Sequence, residues 1–162
     1  MNREELNKKV EKLENDLTEA KKELSNCGKR WKPELETCYY YVTLMGRVVS
    51  DCWINHSVDI GHYNLNNCFK TREEAEFKLE NLKVTAELEI FAQEHNECEL
   101  DWSDWDQPKY YMFYGHTSGR VKSDYTCVRK EHRVYFSSQE IQEQAIETIG
   151  ADRIKKYYFG VV

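Results

Sequence analysis

Gly46-Arg47-Val48-Val49-Ser50-Asp51 is repeated later in the chain, as Gly119-Arg120-Val121-Lys122-Ser123-Asp124. The similarity extends beyond the hexapeptide, because Tyr40-Tyr41-Val42 precedes the first copy and Tyr110-Tyr111-Met112 precedes the second. Downstream, Phe69-x-Thr71-x-Glu73 is matched by Phe136-x-Ser138-x-Glu140, and each is followed by apolar residues at helical spacing. A repeat of this kind predicts two copies of one supersecondary unit.

Each copy reads as antiparallel strands followed by a helix. The aromatic and β-branched residues around each Gly-Arg-Val predict a hairpin, and a third strand is possible before each helix. Thr71 and Ser138 are N-cap residue types, which place the helices at 72–94 and 139–149, and a short final helix is expected over 151–158. The predicted fold class is α+β.

The N-terminal segment predicts a coiled-coil helix. Its apolar residues follow the alternating three- and four-residue spacing of a heptad seam, and its charges balance. A helix of this length is only marginally stable in isolation. We therefore expect it to mediate homo-oligomerisation, with packing on its own domain as the alternative. The seam residues are Leu6, Val10, Leu13, Leu17, Ala20 and Leu24.

These elements divide the chain into five parts. We expect an oligomerisation helix at 1–30, a linker at 31–37, a first unit at 38–96, a second linker at 97–108 and a second unit at 109–162.

The first unit's helix carries apolar residues on two nearly opposite faces, one including Ala75, Leu82 and Ile90 and the other Val84 and Leu88. We expect both faces to be covered within the chain, because apolar stripes at helical spacing usually belong to a core, with coverage of one face by another subunit as the alternative.

Charge is distributed unevenly in a chain of formal net charge -6. Residues 72–106 contain twelve Asp or Glu and three Lys or Arg. Binding of duplex DNA is disfavoured by this balance, since that affinity comes largely from cations that neutralise phosphates. No apolar run is long enough to span a bilayer and no signal peptide is recognisable. We therefore expect the chain to reside in the cytoplasm and not to associate with a membrane.

The second linker contains five acids and two indoles within ten residues. Exposed indoles are frequent at binding hot spots, and carboxylates attract a basic partner. We therefore predict a partner-binding segment, with packing of both indoles on the core as the alternative. The predicted contact residues are Glu97, Glu99, Asp101, Trp102, Asp104, Trp105 and Asp106.

Six irregularly spaced cysteines are expected to be reduced thiols. Cys52, His56, His62 and Cys68 have zinc-ligand chemistry but lack the paired spacing of zinc motifs, so neither a metal nor a cofactor is predicted.

Catalytic motifs are equally weak. Asp51 and Asp124 recur at equivalent positions, yet no phosphate loop or nucleophile elbow accompanies them, and no catalysis is predicted. An alternative is a regulatory or nucleic-acid-binding protein that uses the cations and tyrosines of the basic second unit.

Three stretches carry a resemblance to a known group: Asn67-Cys68-Phe69-Lys70-Thr71-x-Glu73-Glu74-Ala75-Glu76, Phe136-Ser137-Ser138-Gln139-Glu140, and Lys155-Lys156-Tyr157-Tyr158-Phe159-Gly160-Val161. Over residues 37–162 the chain resembles small accessory proteins of phages and prophages of Gram-positive bacteria. The resemblance implies a host protein as partner, such as a defence nuclease or nucleoprotein complex. It also implies stoichiometric inhibition, as by an anti-CRISPR protein, in the host bacterial cytoplasm.

Overall fold

The computed structural model describes residues 3–26, 30–130 and 134–161, and the chain has the predicted α+β fold. Helix α1 (Arg3–Asn26) precedes a hairpin of β1 (Cys38–Val42) and β2 (Val48–Cys52), then helices α2 (Ser57–Asn64) and α3 (Arg72–His95). The second half contains β3 (Lys109–Gly115), β4 (Arg120–Thr126), β5 (Tyr135–Phe136), α4 (Gln139–Ile149), α5 (Ala151–Arg153) and a π-helical turn, Ile154–Tyr158. The end of the helix expected at 1–30 and the start of the possible third strand of the second copy, which the sequence places at Gly28 and Arg133, lie outside the described residues.

The hexapeptide has the same structural role in both copies. Gly46 and Gly119 have φ angles of 67° and 65°, in the left-handed region that favours glycine, and each ends the turn of an antiparallel hairpin. The following Asp51 and Asp124 lie opposite Tyr39 and Tyr111. Each Asp also accepts a hydrogen bond from the amide of the next residue. The repeat is therefore a turn-and-strand signature.

The helix starts repeat as well. Phe69 pairs with Tyr40 through a single antiparallel bridge, and Phe136 of β5 pairs with Tyr110. Two residues later, the hydroxyl of Thr71 accepts from the Glu74 amide, as the hydroxyl of Ser138 does from Ile141. The predicted N-caps are confirmed.

The first unit contains a helix that the sequence did not predict. The possible third strand before α3 is reduced to that single bridge at Phe69, and half of the residues between β2 and Phe69 form α2. The His56 side chain accepts from the Val58 amide and Asp59 accepts from the His56 amide, which together cap that helix. This local capping outweighs the weak β pattern of the sequence.

Helix α3 contacts both the first hairpin and the core of the second half. Its buried Ala75 lies near the N-terminal end, whereas Val84 and Leu88 join the core that β3, β5 and α4 form in the second half. The face of α3 that includes Leu82 and Ile90 is incompletely covered, because these side chains are 47% and 51% exposed. The prediction that both faces would be covered within the chain was thus only partly right.

Candidate protein-binding site

The acidic, indole-bearing segment at 97–108, here called the Trp loop, packs one indole inward. Trp102 is half-buried and meets the ring of Tyr135 edge to face, with 4.8 Å between centroids. The cations of Lys109 and Arg129 lie 5.5 and 5.7 Å from the Trp102 ring centre. Aromatic and cation–π contacts of this kind attach the loop to the sheet.

Lys109 is the chemically unusual member of this contact. It is fully buried on β3, where an ammonium group requires a polar partner. Its Nζ donates to the Asp104 carbonyl at 2.8 Å, so the β-strand cation holds the middle of the loop. Sequence reasoning missed this residue, because a single Lys before an aromatic strand gives no signal of burial.

The loop is also braced by its own side chains. Asp101 Oδ1 accepts from the Ser103 amide at 2.8 Å and from the Ser103 hydroxyl at 2.6 Å, and these bonds hold the pKa of Asp101 below its usual value. Asp104 Oδ1 accepts from the Asp106 amide at 2.8 Å. Gln107 spans the loop, accepting from the Asp101 amide and donating to the Glu99 carbonyl. Two of the five predicted acidic contacts thus maintain loop geometry.

The remaining predicted residues point outward. Trp105 is 72% exposed, far more than a packing role would leave it. The side chains of Glu97, Glu99 and Asp106 are exposed on the same short loop. The structure therefore separates the two indoles, with Trp102 as the anchor and Trp105 as a free contact surface.

A cleft of about 940 Å³ opens beside the anchor. The walls come from the C-terminal half of α3, from Leu100 and Trp102 of the loop, and from Arg129 and Lys130. Lys130 is already engaged, since its Nζ donates to the Tyr111 hydroxyl at 2.8 Å. All four of these cations of the basic second unit are exposed; Arg129 and Lys130 lie over aromatic rings, whereas Arg120 and Lys122 lie on β4.

The predicted seam of α1 is exposed along its whole length. Exposure ranges from 45% at Leu6 to 76% at Leu24, and Ala20 is exposed too. Val10, Leu13 and Leu17 lie between these values. The seam thus presents a continuous apolar stripe to solvent.

The four zinc-type residues have separate roles. The ring of His62 stacks on Tyr41 at 4.0 Å and its Nδ1 lies 2.9 Å from the Tyr39 hydroxyl. His56 caps α2, Cys52 is exposed on β2, and burial raises the pKa of the Cys68 thiol to about 11. Within 3–26, 30–130 and 134–161, no three metal-binding side chains come together.

Asp59 is the best-satisfied carboxylate of the first unit. Burial alone would raise its pKa, but bonds from the amides of Ile54 and His56 and from the Tyr39 hydroxyl outweigh burial and lower it. Burial, followed by the bond to Asp59, raises the pKa of Tyr39. This cluster joins α2 to the first hairpin and has a structural explanation.

Comparison with known proteins gave no match to any family model, curated protein or solved structure. Among the described residues, no helix has both the length and the apolar character needed to cross a membrane.

Proposed function

We propose that this chain acts by binding a basic protein partner through the outward side of the Trp loop. The observation that carries the proposal is Trp105, which is 72% exposed on a loop anchored by a second indole. Trp is among the commonest hot-spot residues, because its indole offers a large contact area with few rotatable bonds.

Pre-organisation supports the same conclusion. The hydrogen bonds of Asp101, Asp104 and Gln107 fix the loop backbone before any partner arrives. Less conformational entropy is then lost on association, so more of the contact energy appears as affinity. The exposed carboxylates of Glu97, Glu99 and Asp106 attract a positively charged surface and accelerate encounter.

For the partner's identity we propose a bacterial defence protein, such as a nuclease whose phosphate-binding groove would receive the acidic loop. The support is the resemblance of residues 37–162 to phage accessory proteins, together with the excess of acid over residues 72–106. Inhibition would be stoichiometric, because the loop occupies the groove in place of nucleic acid. The host cytoplasm is the proposed location.

Self-association through α1 is a separate part of the proposal. An apolar seam with heptad spacing and at least 45% exposure of its large side chains matches a second copy of the same helix. Two copies would present two Trp loops, which strengthens binding to a partner that offers two sites.

The test compares binding by three chains. Trp105→Ser removes the exposed indole, and Glu97→Gln/Glu99→Gln/Asp106→Asn removes the three exposed charges that do not brace the loop. Leu44→Ser is a matched control at an exposed apolar residue of the first hairpin turn. We expect the indole variant to weaken partner binding at least tenfold. The charge variant should mainly slow association and reduce its salt dependence, and the control should bind normally.

The nuclease hypothesis is tested separately, by measuring target cleavage with and without the chain. Cleavage that continues while the partner remains bound would contradict inhibition but not binding. Retention of a single-stranded oligonucleotide by the isolated chain, abolished by Lys122→Gln, would favour the nucleic-acid alternative instead.

A further inference from the structure

Two cysteines lie directly opposite each other in the first hairpin. Cys38 at the start of β1 pairs with Cys52 at the end of β2 in the antiparallel register. Side chains of directly opposed residues lie on the same face of a sheet. Both cysteines are exposed, so reagents in solution can reach either one.

The hydrogen bonds show which kind of pair this is. The Trp53 amide donates to the Thr37 carbonyl at 2.9 Å, which is one of the two bonds of a hydrogen-bonded pair at the neighbouring position. At the turn end, the Thr43 amide donates to the Arg47 carbonyl, which sets the same alternation. Because hydrogen-bonded and non-hydrogen-bonded pairs alternate, Cys38 and Cys52 form a non-hydrogen-bonded pair.

That position suits a disulfide. The Cα atoms of a non-hydrogen-bonded pair are about 4.5 Å apart, within the range that disulfides span without backbone movement. Local desolvation and then the neighbouring Cys38 thiol raise the pKa of Cys52.

We propose that Cys38 and Cys52 are a redox modification site, which closes to a cross-strand disulfide by exchange with a small-molecule disulfide of the glutathione type. The thiolate of one cysteine attacks the small disulfide and expels one thiolate. The second cysteine then attacks the mixed disulfide and expels the other. The protein loses two protons and two electrons, and the small disulfide is reduced to two thiols.

Closure constrains the whole first hairpin. The bond would link the two strand ends beside Tyr39 and Trp53, which are both buried. Cross-linking reduces the freedom of the unfolded chain, so we expect the oxidised protein to melt about 5–10 °C above the reduced protein. The raised pKa of Cys52 also means that exchange should be faster at pH 8.5 than at pH 7.

The experiment equilibrates the full chain with glutathione disulfide, blocks remaining thiols and maps tryptic peptides by mass spectrometry. Cys38 lies in peptide 31–47, whereas peptide 48–70 contains both Cys52 and Cys68, so Cys68→Ser removes the ambiguity. In that variant we expect linked peptides 31–47 and 48–70, released by dithiothreitol. Cys38→Ser or Cys52→Ser should abolish the link, while Cys98→Ser, at another exposed thiol, should not.

Two results would overturn the proposal. One is glutathione attached to Cys38 or Cys52 in the Cys68→Ser chain without an intramolecular link between the two peptides. The other is a link that joins two chains, detected as a covalent dimer on a non-reducing gel. Wild-type melting with and without oxidant gives a second measurement that requires no substitution, and an unchanged melting temperature after full oxidation would contradict the predicted constraint.

Discussion

Replacement of each indole of the Trp loop by alanine should have very different effects on stability. Only a minor part of the Trp102 surface is exposed, and an indole buries roughly 200 Å² when covered, so removing it forfeits about 3 kcal/mol of apolar burial. The edge contact with Tyr135 and the cation of Lys109 contribute about 1 kcal/mol each. Because the unfolded chain already buries some apolar area, we expect Trp102→Ala to cost about 3–4 kcal/mol.

Trp105→Ala is the matched comparison. At 72% exposure the side chain buries only about 50 Å², which corresponds to at most about 1 kcal/mol. For a chain of this length, the melting temperature should fall by about 6–15 °C in Trp102→Ala and by less than about 4 °C in Trp105→Ala.

Far-ultraviolet circular dichroism is the suitable assay, since both variants alter tryptophan fluorescence directly. Urea midpoints should rank the variants in the same order as thermal melting. Equal losses in the two variants would refute the distinction between an anchoring and a free indole. A neutral Trp102→Ala would show that the loop does not pack on the sheet as described.

Three further predictions concern the rest of the fold. Asp59→Asn should lower the free energy of unfolding at pH 7 by about 2 kcal/mol. Because the folded pKa of Asp59 is lowered, its contribution is complete above the ordinary carboxylate pKa and disappears as pH falls through the folded value. Urea titrations should therefore show the variant converging with wild type in acid, and a pH-independent difference would contradict this. Arg153→Met removes the ion pairs to Glu80 and Glu87 of α3 and should lower the free energy of unfolding by about 1 kcal/mol. The loss should be smaller at high salt, which urea midpoints at two salt concentrations would measure. An equal loss at both concentrations would argue against an ionic contribution. Deletion of residues 1–30 should convert an oligomer to a monomer in sedimentation, and a monomeric full-length chain would reject the coiled coil.

Much of the fold was predictable because the signals were local. Gly46 and Gly119 marked turns that require a positive φ, and Thr71 and Ser138 marked helix starts that their hydroxyls do cap. These features depend on a few neighbouring residues, which the sequence shows directly. Helix α2 was not predicted, because its capping by His56 and Asp59 outweighed a weak strand pattern in the sequence.

The site was less predictable because burial depends on distant residues. The acidic composition located the Trp loop, but only tertiary packing shows that Trp102 points inward and Trp105 outward. Lys109 gave no signal, because its burial depends on the loop folding across β3. The Cys38–Cys52 pair similarly depends on strand register, which the irregular cysteine spacing conceals.

The central claim, that the exposed side of the Trp loop binds a basic protein, is tested most directly by calorimetry on a purified partner. That partner would be a protein retained from bacterial lysate by wild type and Leu44→Ser but lost with Trp105→Ser. With the purified components, we expect Trp105→Ser to bind at least tenfold more weakly than wild type, and wild-type affinity to fall as salt rises. Equal affinity of wild type and Trp105→Ser for the purified protein would contradict the account, as would a lysate in which no protein distinguishes the two.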